Sequence, residues 1–253
     1  MKYAALAVMI AASALAQTTP TPNAPPAKTA PKAAAKAAVQ PTPKAAPKAA
    51  AKAAAKTTAK AAKGPNLLDP GSLREKAPGI FVVRLETSKG NIDIRVVRDW
   101  APNGVERFYN LVKAGYYDNN YFFRALDFMA QFGISSRPDV ARAWDNRTIF
   151  DDRVLHSNKR GFVTFASSGQ PNTRGTQVFI NKLDRNSYLD EKGFAPFGEV
   201  VAGMEVVDML YTGYGEDSNS QYEITNEGEA FITKYYPRLD KIIKANVIAV
   251  PEP

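Results

Sequence analysis

The chain has 253 residues with 33 Lys and Arg, 25 Asp and Glu, one His and no Cys, and its net charge is +8. The lack of Cys excludes disulfides, zinc–thiolate sites, iron–sulfur clusters and cysteine nucleophiles, and a single His excludes a multi-histidine metal site. Residues 17–68 hold nine Lys and no acidic residue, and Lys2 adds a tenth basic residue, so the remainder has 23 basic and 25 acidic residues. Because the basic charge lies in a tail, it does not indicate a nucleic-acid-binding protein.

The first 16 residues have the pattern of a secretory signal peptide. Lys2 precedes an apolar run that ends in Ala14-Leu15-Ala16, so we expect cleavage before Gln17. A transmembrane anchor is the alternative, but the run at 3–16 is shorter than the roughly 20 residues that a membrane span needs. The sequence therefore predicts a protein that is periplasmic or secreted.

Residues 17–68 form a low-complexity linker of Ala, Lys, Pro and Thr. Such a segment has no large apolar side chain to offset an ordering cost of about 1–2 kcal/mol per residue, so we expect disorder. One interpretation is a solvated spacer, and the other is an electrostatic tether to an anionic envelope polymer or lipid surface. Lysines without aromatic residues supply charge but no stacking on bases, which argues against a nucleic-acid partner.

Almost all aromatic residues lie beyond this linker. Of the 26 Phe, Trp and Tyr, 25 lie in residues 81–253, and none lies between Tyr3 and Phe81. Only this part of the chain can bury a sizeable core. We therefore expect one domain at 77–250, preceded by the signal peptide at 1–16 and the linker at 17–68.

Within this domain the predicted elements begin with a β-hairpin, because residues 80–87 and 91–97 are rich in β-formers and flank a turn. Pro102 then begins a helix with apolar residues at three- and four-residue spacing, which stops at Gly115. Short strands are predicted at 121–126, 128–132, 161–166, 177–180 and 197–200, a second helix at 204–211, and a last strand at 242–250. Many short strands with two helices favour a closed or sandwiched β fold over alternating βαβ units.

Three segments carry a set of ordered motifs. They are YFFRALDFMAQFG at 121–133, GFVTFASSGQPNTRGTQVFIN at 161–181 and YLDEKGFAPFGEVVAGMEVVDML at 188–210. An Arg inside an apolar strand is by itself compatible with a core strand that carries one outward-facing Arg. The sequence contains no P-loop, no dinucleotide-binding Gly motif after a strand, no H-E-x-x-H and no G-x-S-x-G.

Taken together, these motifs resemble those of the cyclophilin-type peptidyl-prolyl cis-trans isomerases. The resemblance runs from about Ile80 to Val250, and the stretch from Tyr236 to Ala245 resembles a secreted bacterial branch of the family. It implies a mainly β fold, an eight-stranded antiparallel β-barrel capped by two α-helices. It also implies rotation of Xaa-Pro bonds in folding exported proteins by a monomer that needs no metal and no cofactor.

The resemblance also assigns site residues. Arg124 corresponds to the catalytic guanidinium, and Gln131 to the side chain that positions the substrate backbone and supports it. The proline pocket would be lined by Phe128, Met129, Phe179 and Leu189. Ala166 and Ser167 correspond to the backbone segment that hydrogen-bonds an extended peptide.

The sequence departs from the family pattern at several of these places. Arg124 and Phe128 are four positions apart, one fewer than is usual, so the loop 125–127 is short. Tyr188 takes the place of the pocket Trp, and Phe194 takes the place of the pocket His, which makes the rim more apolar. None of these changes removes the Arg, Phe, Met and Gln at the centre of the motif.

Three functional hypotheses remain open at this point. The first is an isomerase, in which Arg124 stabilises the twisted amide. The second is a chaperone or scaffold module that binds Pro-containing segments with weak or no turnover, which the short loop 125–127 favours. The third is a surface adhesin in which the Lys-rich tail is the functional part.

Overall fold

The computed structural model describes residues 66–249, so the predicted signal peptide and most of the predicted linker lie outside the described residues. Nine β-strands are β1 (Ile80–Thr87), β2 (Gly90–Val97), β3 (Asn120–Tyr121), β4 (Arg124–Ala125), β5 (Met129–Phe132), β6 (Phe162–Phe165), β7 (Val178–Asn181), β8 (Pro196–Ala202) and β9 (Lys241–Ala249). Five α-helices are α1 (Pro102–Lys113), α2 (Pro138–Trp144), α3 (Met204–Asp208), α4 (Gln221–Glu227) and α5 (Glu229–Tyr235). Shorter 3₁₀ helices lie at Pro70–Ser72, Arg98–Trp100 and Asp184–Lys192.

All nine strands belong to one antiparallel sheet in the order β3-β9-β1-β2-β8-β6-β7-β5-β4. Its two outermost strands, β3 and β4, are joined only by Phe122 and Phe123. The three residue steps from Tyr121 to Arg124 can span at most about 11 Å, so the sheet must curl until its two edges are close. The mainly β prediction is confirmed, as a curled sheet of nine strands rather than eight.

The predicted hairpin is confirmed as β1 and β2, which pair from Ile80 with Val97 to Thr87 with Gly90. Burial alternates along both strands, because successive side chains of a strand point to opposite faces. Gly90 has a φ of 137°, and a Cβ there would lie 3.1 Å from a methyl group of Val206 in α3. The glycine therefore permits both the turn and the close packing of α3 on it.

Helix α1 is also confirmed. Pro102 lies in its first turn, and its apolar residues Val105, Phe108, Leu111 and Val112 are all buried in the main core. The chain then turns away at Gly115, where φ is 71°. A strongly periodic helix of this length packs one apolar face on the sheet, which is why its sequence pattern is informative.

Other element predictions need correction. The predicted strand at 121–126 is two short strands, β3 and β4, because β3 pairs with β9 while β4 pairs with β5. The predicted helix at 204–211 ends at Asp208. Helices α2, α4 and α5 have seven residues each and were not predicted, so residues 66–249 contain five α-helices rather than two.

The unpredicted helices build a second hydrophobic cluster beside the sheet. It contains Phe123, Ile224, Phe231 and Ile232 among its buried residues. Gly228 joins α4 to α5 with a φ of 63°, and a Cβ there would lie 2.2 Å from the carbonyl oxygen of Ser136. The cluster therefore fixes the α4–α5 pair against the chain that precedes Arg124.

Within 66–249, no helix is long and apolar enough to cross a membrane.

The residues just before the predicted domain make contacts with it. Leu67 and Leu73 pack against the main core, and the indole nitrogen of Trp144 donates a hydrogen bond of 2.8 Å to the carbonyl of Leu67.

Candidate active site

The candidate site lies on the face of the sheet opposite the main core. Across β4, β5 and β7, Arg124 pairs with Gln131, and Gln131 pairs with Phe179. Directly opposed residues in antiparallel strands point to the same face. The neighbouring pair, Ala130 and Ile180, is fully buried in the main core. The pleat therefore directs Arg124, Gln131 and Phe179 together onto the other face.

The Arg124 guanidinium has partners on two sides. Its Nη1 lies 3.4 Å from Oε1 of Gln131 and 3.5 Å from Sδ of Met129. On the other side it forms a bidentate ion pair with Glu216, in which Nε donates to Oε2 at 2.7 Å and Nη2 donates to Oε1. The Arg124 side chain is 25% exposed and that of Glu216 is 55% exposed, so the pair lies at the edge of the site.

Apolar side chains adjoin this guanidinium. Met129 and Phe179 are buried, and Phe194 packs edge-to-face on Phe179 with 5.9 Å between the ring centroids. An apolar surface beside a charged group suits the ring of a proline next to its amide bond. The structure thus brings together Arg124, Met129, Gln131, Phe179 and Phe194.

Phe128 and Leu189 lie at the rim and are tied to the site through their backbones. The carbonyl of Phe128 accepts hydrogen bonds from the Lys182 amide at 2.9 Å and from Nδ2 of Asn186 at 2.8 Å. The carbonyl of Leu189 accepts one from the Phe194 amide at 3.3 Å. Both side chains are half-buried, which is compatible with their predicted place in a pocket wall.

Ala166 and Ser167 follow β6 and run past Gln177. The Ala166 amide donates to the Gln177 carbonyl at 2.9 Å, which extends the β6–β7 ladder beyond its last strand pair. The hydroxyl oxygen of Ser167 lies 2.9 Å from that of Thr173. The two residues are half-buried and run beside Gln177, and their contact with an extended peptide stays a prediction.

Tyr188 directly precedes Leu189 in the chain. It belongs to the Asp184–Lys192 helix, is 43% exposed, and has the ammonium of Lys192 5.0 Å from its ring centroid. No aromatic pair among residues 66–249 links it to Phe179 or Phe194. Tyr188 is therefore a largely exposed residue of this helix, and its assignment to the pocket stays a prediction.

The short loop 125–127 is held by two hydrogen bonds to Leu126. Its amide donates to the Met129 carbonyl at 2.8 Å, and its carbonyl accepts from Nζ of Lys182 at 3.0 Å. Burial lowers the pKa of Lys182, because a charged ammonium is disfavoured away from water. These two hydrogen bonds fix the turn that follows Arg124, and with it the backbone position from which the Arg124 side chain extends.

Four polar residues near Arg124 were not predicted from the sequence. Gln131 donates from Nε2 to Oε1 of Gln177 at 2.7 Å, Gln177 to Oε1 of Gln221 at 2.9 Å, and Gln221 to Oδ1 of Asn219 at 2.9 Å. Asn219 then approaches Oε2 of Glu216 at 3.4 Å. A closed ring of hydrogen bonds thus runs from Arg124 through the amides and back to Arg124.

The sequence contained only a partial signal for this ring. Gln177 stands in the P-N-T-R-G-T-Q motif but was assigned no role, while Glu216, Asn219 and Gln221 lie in a segment without a motif. The arrangement holds a guanidinium beside an apolar surface, which can hold a carbonyl and stabilise a developing lone pair. No group of three or more His, Asp or Glu in 66–249 is placed to hold a metal ion.

Comparison with known proteins identifies the family of this chain. The family model "Cyclophilin type peptidyl-prolyl cis-trans isomerase/CLD" matches residues 82–228. The peptidyl-prolyl cis-trans isomerase A of Dickeya dadantii is 36% identical over 135 residues, which cover 51% of this chain and 70% of that protein. A peptidyl-prolyl cis-trans isomerase of Acinetobacter baylyi is 31% identical over 136 residues, which cover 51% of this chain and 71% of that protein.

A crystal structure of a cyclophilin-type isomerase from Cryptosporidium parvum aligns with a TM-score of 0.49 and 22% identity, covering 68% of this chain and 99% of that chain. The stretch that the family model matches is more than half of this chain and includes Arg124, Gln131 and Phe179. The chain therefore belongs to the cyclophilin-type peptidyl-prolyl cis-trans isomerase family.

Proposed function

We propose that this protein rotates Xaa-Pro bonds in exported proteins, and that Arg124 is its catalytic residue. The observation that carries the proposal is the row of Arg124, Gln131 and Phe179 on one face of three adjacent strands. This row combines a cation, a polar side chain that contacts it, and an apolar ring. These are the groups that a prolyl amide needs around it during rotation.

The chemistry follows from the amide bond. Resonance gives rotation a barrier of about 18–20 kcal/mol, and the twisted state localises the lone pair on the prolyl nitrogen. The Arg124 guanidinium would donate a hydrogen bond to that nitrogen, while the apolar side chains exclude water and strengthen the interaction. Each 1.4 kcal/mol by which the twisted state is bound better than the planar state raises the rate about tenfold. No bond is broken, so no nucleophile is required.

The test is a prolyl isomerisation assay on a short proline-containing peptide. We expect the wild-type chain to accelerate exchange and Arg124→Ala to lose at least about a hundredfold in kcat/KM with its melting temperature preserved. Arg142→Ala is a matched control, because Arg142 is an exposed arginine on α2, away from the row. Equal turnover by wild type and Arg124→Ala would exclude this role for Arg124.

The main alternative is a chaperone or scaffold that binds Pro-containing segments with little turnover. The specific observation in its favour is the ion pair with Glu216, since a carboxylate offsets the charge that catalysis would use. Suppression of aggregation by a turnover-deficient Arg124→Ala variant separates the two functions. A variant that keeps this suppression in full while wild-type turnover is negligible would favour the alternative.

We further propose that the protein is exported by its first 16 residues to the periplasm or the medium, as in a secreted bacterial branch of the family. The support is the apolar run that ends in Ala14-Leu15-Ala16 and the acid-free Lys-rich stretch that follows. Mass spectrometry of the protein from an envelope fraction should find a chain that begins at Gln17. A chain that retains Met1 in the cytosol would contradict export.

The Lys-rich linker is proposed to hold the domain near an anionic envelope polymer or lipid surface. Charge attraction of this kind weakens as salt screens it. We expect retention on anionic envelope material that falls with salt and is lost when residues 17–66 are deleted, whereas prolyl isomerisation is kept. Retention that is independent of salt would leave the linker as a spacer.

A further inference from the structure

We infer that Glu216 is a positioning residue for Arg124 in the reaction proposed above, on which this inference rests. The carboxylate contacts the guanidinium through both of its oxygens, and a bidentate pair fixes the plane of the guanidinium as well as its place. Glu216 does not need to touch the substrate for this. It acts by holding the group that does.

The pair leaves donors free for a substrate. A guanidinium has five N–H groups, and those of Arg124 point to Glu216 through Nε and Nη2 and to Gln131 and Met129 through Nη1. At least one N–H, on Nη2, has no acceptor among residues 66–249. The Arg124 side chain is 25% exposed, so part of it reaches solvent while the ion pair is in place.

Glu216 is itself held in place by the segment 211–220, which we call the Glu216 loop. Tyr214 packs edge-to-face on Tyr211 and on Tyr236, with centroid distances of 5.0 and 5.2 Å. The hydroxyl of Tyr236 donates to the Asp217 carbonyl at 2.6 Å, next to Glu216. The loop is thus fastened by aromatic packing and by a backbone contact beside the carboxylate.

The ring of amides reinforces this placement from the sheet. Gln131 and Gln177 lie on or beside β5 and β7, and Gln221 begins α4. Their hydrogen bonds connect the strand face to the loop that carries Glu216. A catalytic group that must be positioned to within a fraction of an ångström depends on neighbouring residues that hold it in place.

The second hydrophobic cluster links the same elements. Phe123, which precedes Arg124, is buried together with Ile224 of α4 and Phe231 of α5. Residues 211–235 therefore meet this segment at two places: Glu216 of the loop contacts the Arg124 side chain, and α4 and α5 pack on the preceding residue, Phe123. This arrangement favours support of the guanidinium over a chance surface ion pair.

The test compares Glu216→Gln with Asp217→Asn in the full chain. Asp217 is the next residue, carries the same charge, and forms no ion pair with any residue in 66–249. Glu216→Gln should lower kcat about tenfold and change KM by less than about twofold, because a misplaced catalytic group slows the chemical step. Asp217→Asn should leave both constants unchanged.

A spectroscopic measurement tests the pair itself. In ¹⁵N-resolved NMR spectra, the Nε–H proton of Arg124 should resonate downfield and exchange slowly in wild type, and both properties should be lost in Glu216→Gln but kept in Asp217→Asn.

The outcomes separate this inference from the proposed function. If wild type has no turnover, the proposed function fails and this inference, which depends on it, fails with it. If wild type is active and Arg124→Ala is not, an unchanged or raised kcat in Glu216→Gln overturns positioning. A raised kcat would instead identify Glu216 as a competitor for the guanidinium. An unchanged Nε–H signal would overturn the ion pair.

Discussion

Gln131 donates a hydrogen bond from Nε2 to Oε1 of Gln177, and the two atoms are 2.7 Å apart. This contact joins the strand beside Arg124 to the strand that carries Phe179. Gln131 is only 5% exposed, so its amide has little access to water if the partner is removed. The orientation of Gln131, and through it that of Arg124, therefore depends on Gln177.

From this we predict that Gln177→Leu lowers prolyl isomerase activity. The change leaves a buried donor of Gln131 without its acceptor, at a cost of about 1–3 kcal/mol, and it breaks the link to Gln221. We expect kcat/KM to fall about three- to tenfold and the melting temperature to fall by a few degrees. Gln170→Leu, the same change at an exposed position, is the control. Unchanged kcat/KM in Gln177→Leu would show that the amide ring has no part in orienting Arg124.

A second prediction concerns the corner between α4 and α5. At Gly228 a methyl group would meet the Ser136 carbonyl at 2.2 Å and the Pro138 side chain at 2.8 Å, in a backbone conformation that L-residues rarely adopt. Gly228→Ala should therefore destabilise the domain by about 2 kcal/mol or more. Chemical denaturation measures this loss, and Gly79→Ala, where a Cβ meets nothing within 4 Å, should be nearly neutral.

A third prediction concerns a buried ion pair. The Arg174 side chain is 2% exposed and that of Asp152 is 3% exposed, and Nη1 lies 3.0 Å from Oδ2. Asp152 also accepts the amides of Asn103 and Gly104 in the first turn of α1. Removing one member of a buried pair leaves an uncompensated charge, so Arg174→Met should cost about 3–5 kcal/mol.

Arg137→Met is the matched control for that experiment. In its ion pair with Asp139, the Arg137 side chain is 61% exposed and the Asp139 side chain is 49% exposed. Exposed ion pairs of this kind contribute about 0–1 kcal/mol to stability. Urea unfolding of both variants should give a much lower midpoint for Arg174→Met only. Similar midpoints for the two would mean that the buried pair makes no special contribution.

A fourth prediction concerns alkaline pH. Burial raises the pKa of Tyr116 to about 12, since the phenolate is disfavoured away from water. The pKa of Tyr116 in the folded chain lies above its unfolded value of about 10. Its contribution to the free energy of unfolding is therefore fully present below pH 10 and is lost as the pH rises through 12. That contribution is about 2–3 kcal/mol.

The measurement is the free energy of unfolding from pH 9 to pH 12 for wild type and Tyr116→Phe. The variant loses the contact of the hydroxyl with Thr176 and is slightly less stable at pH 9, but its stability should fall less steeply above pH 10. If the free energy of unfolding falls equally steeply with pH in both proteins, the ionisation of Tyr116 makes no contribution to the pH dependence of stability in this range.

The sequence predicted those parts of the fold that have strong local patterns. The hairpin of β1 and β2 alternates along its length, and α1 has a proline at its start and a glycine beyond its end, so both were found close to their observed bounds. Helices α4 and α5 are too short to be stable alone, and their position depends on packing with Phe123. Strands β3 and β4 depend on partners far away in the chain.

The same distinction applies to the site. Arg124, Met129 and Gln131 lie within one short segment that resembles the family motif although it is one residue shorter, so the resemblance indicated them together. Glu216 is 92 positions from Arg124, and no local pattern connects the two. Tyr188 was assigned to the pocket from the resemblance alone; it is 43% exposed and its ring lies near the Lys192 ammonium, so its place in the pocket stays a prediction.

The position of β9 in the sheet has a consequence for the synthesis of this protein. Strand β9 pairs with both β1 and β3, and Ser88 donates a hydrogen bond to Asp240, which lies 152 positions further along the chain. Among the strands of residues 66–249, the one that fills the gap between β1 and β3 is therefore the last to be synthesised. The family match ends at residue 228, before this strand begins. A chain that is still being made thus exposes the facing edges of β1 and β3 until residues 241–249 have been added, so this part of the sheet can close only after β9 has been made.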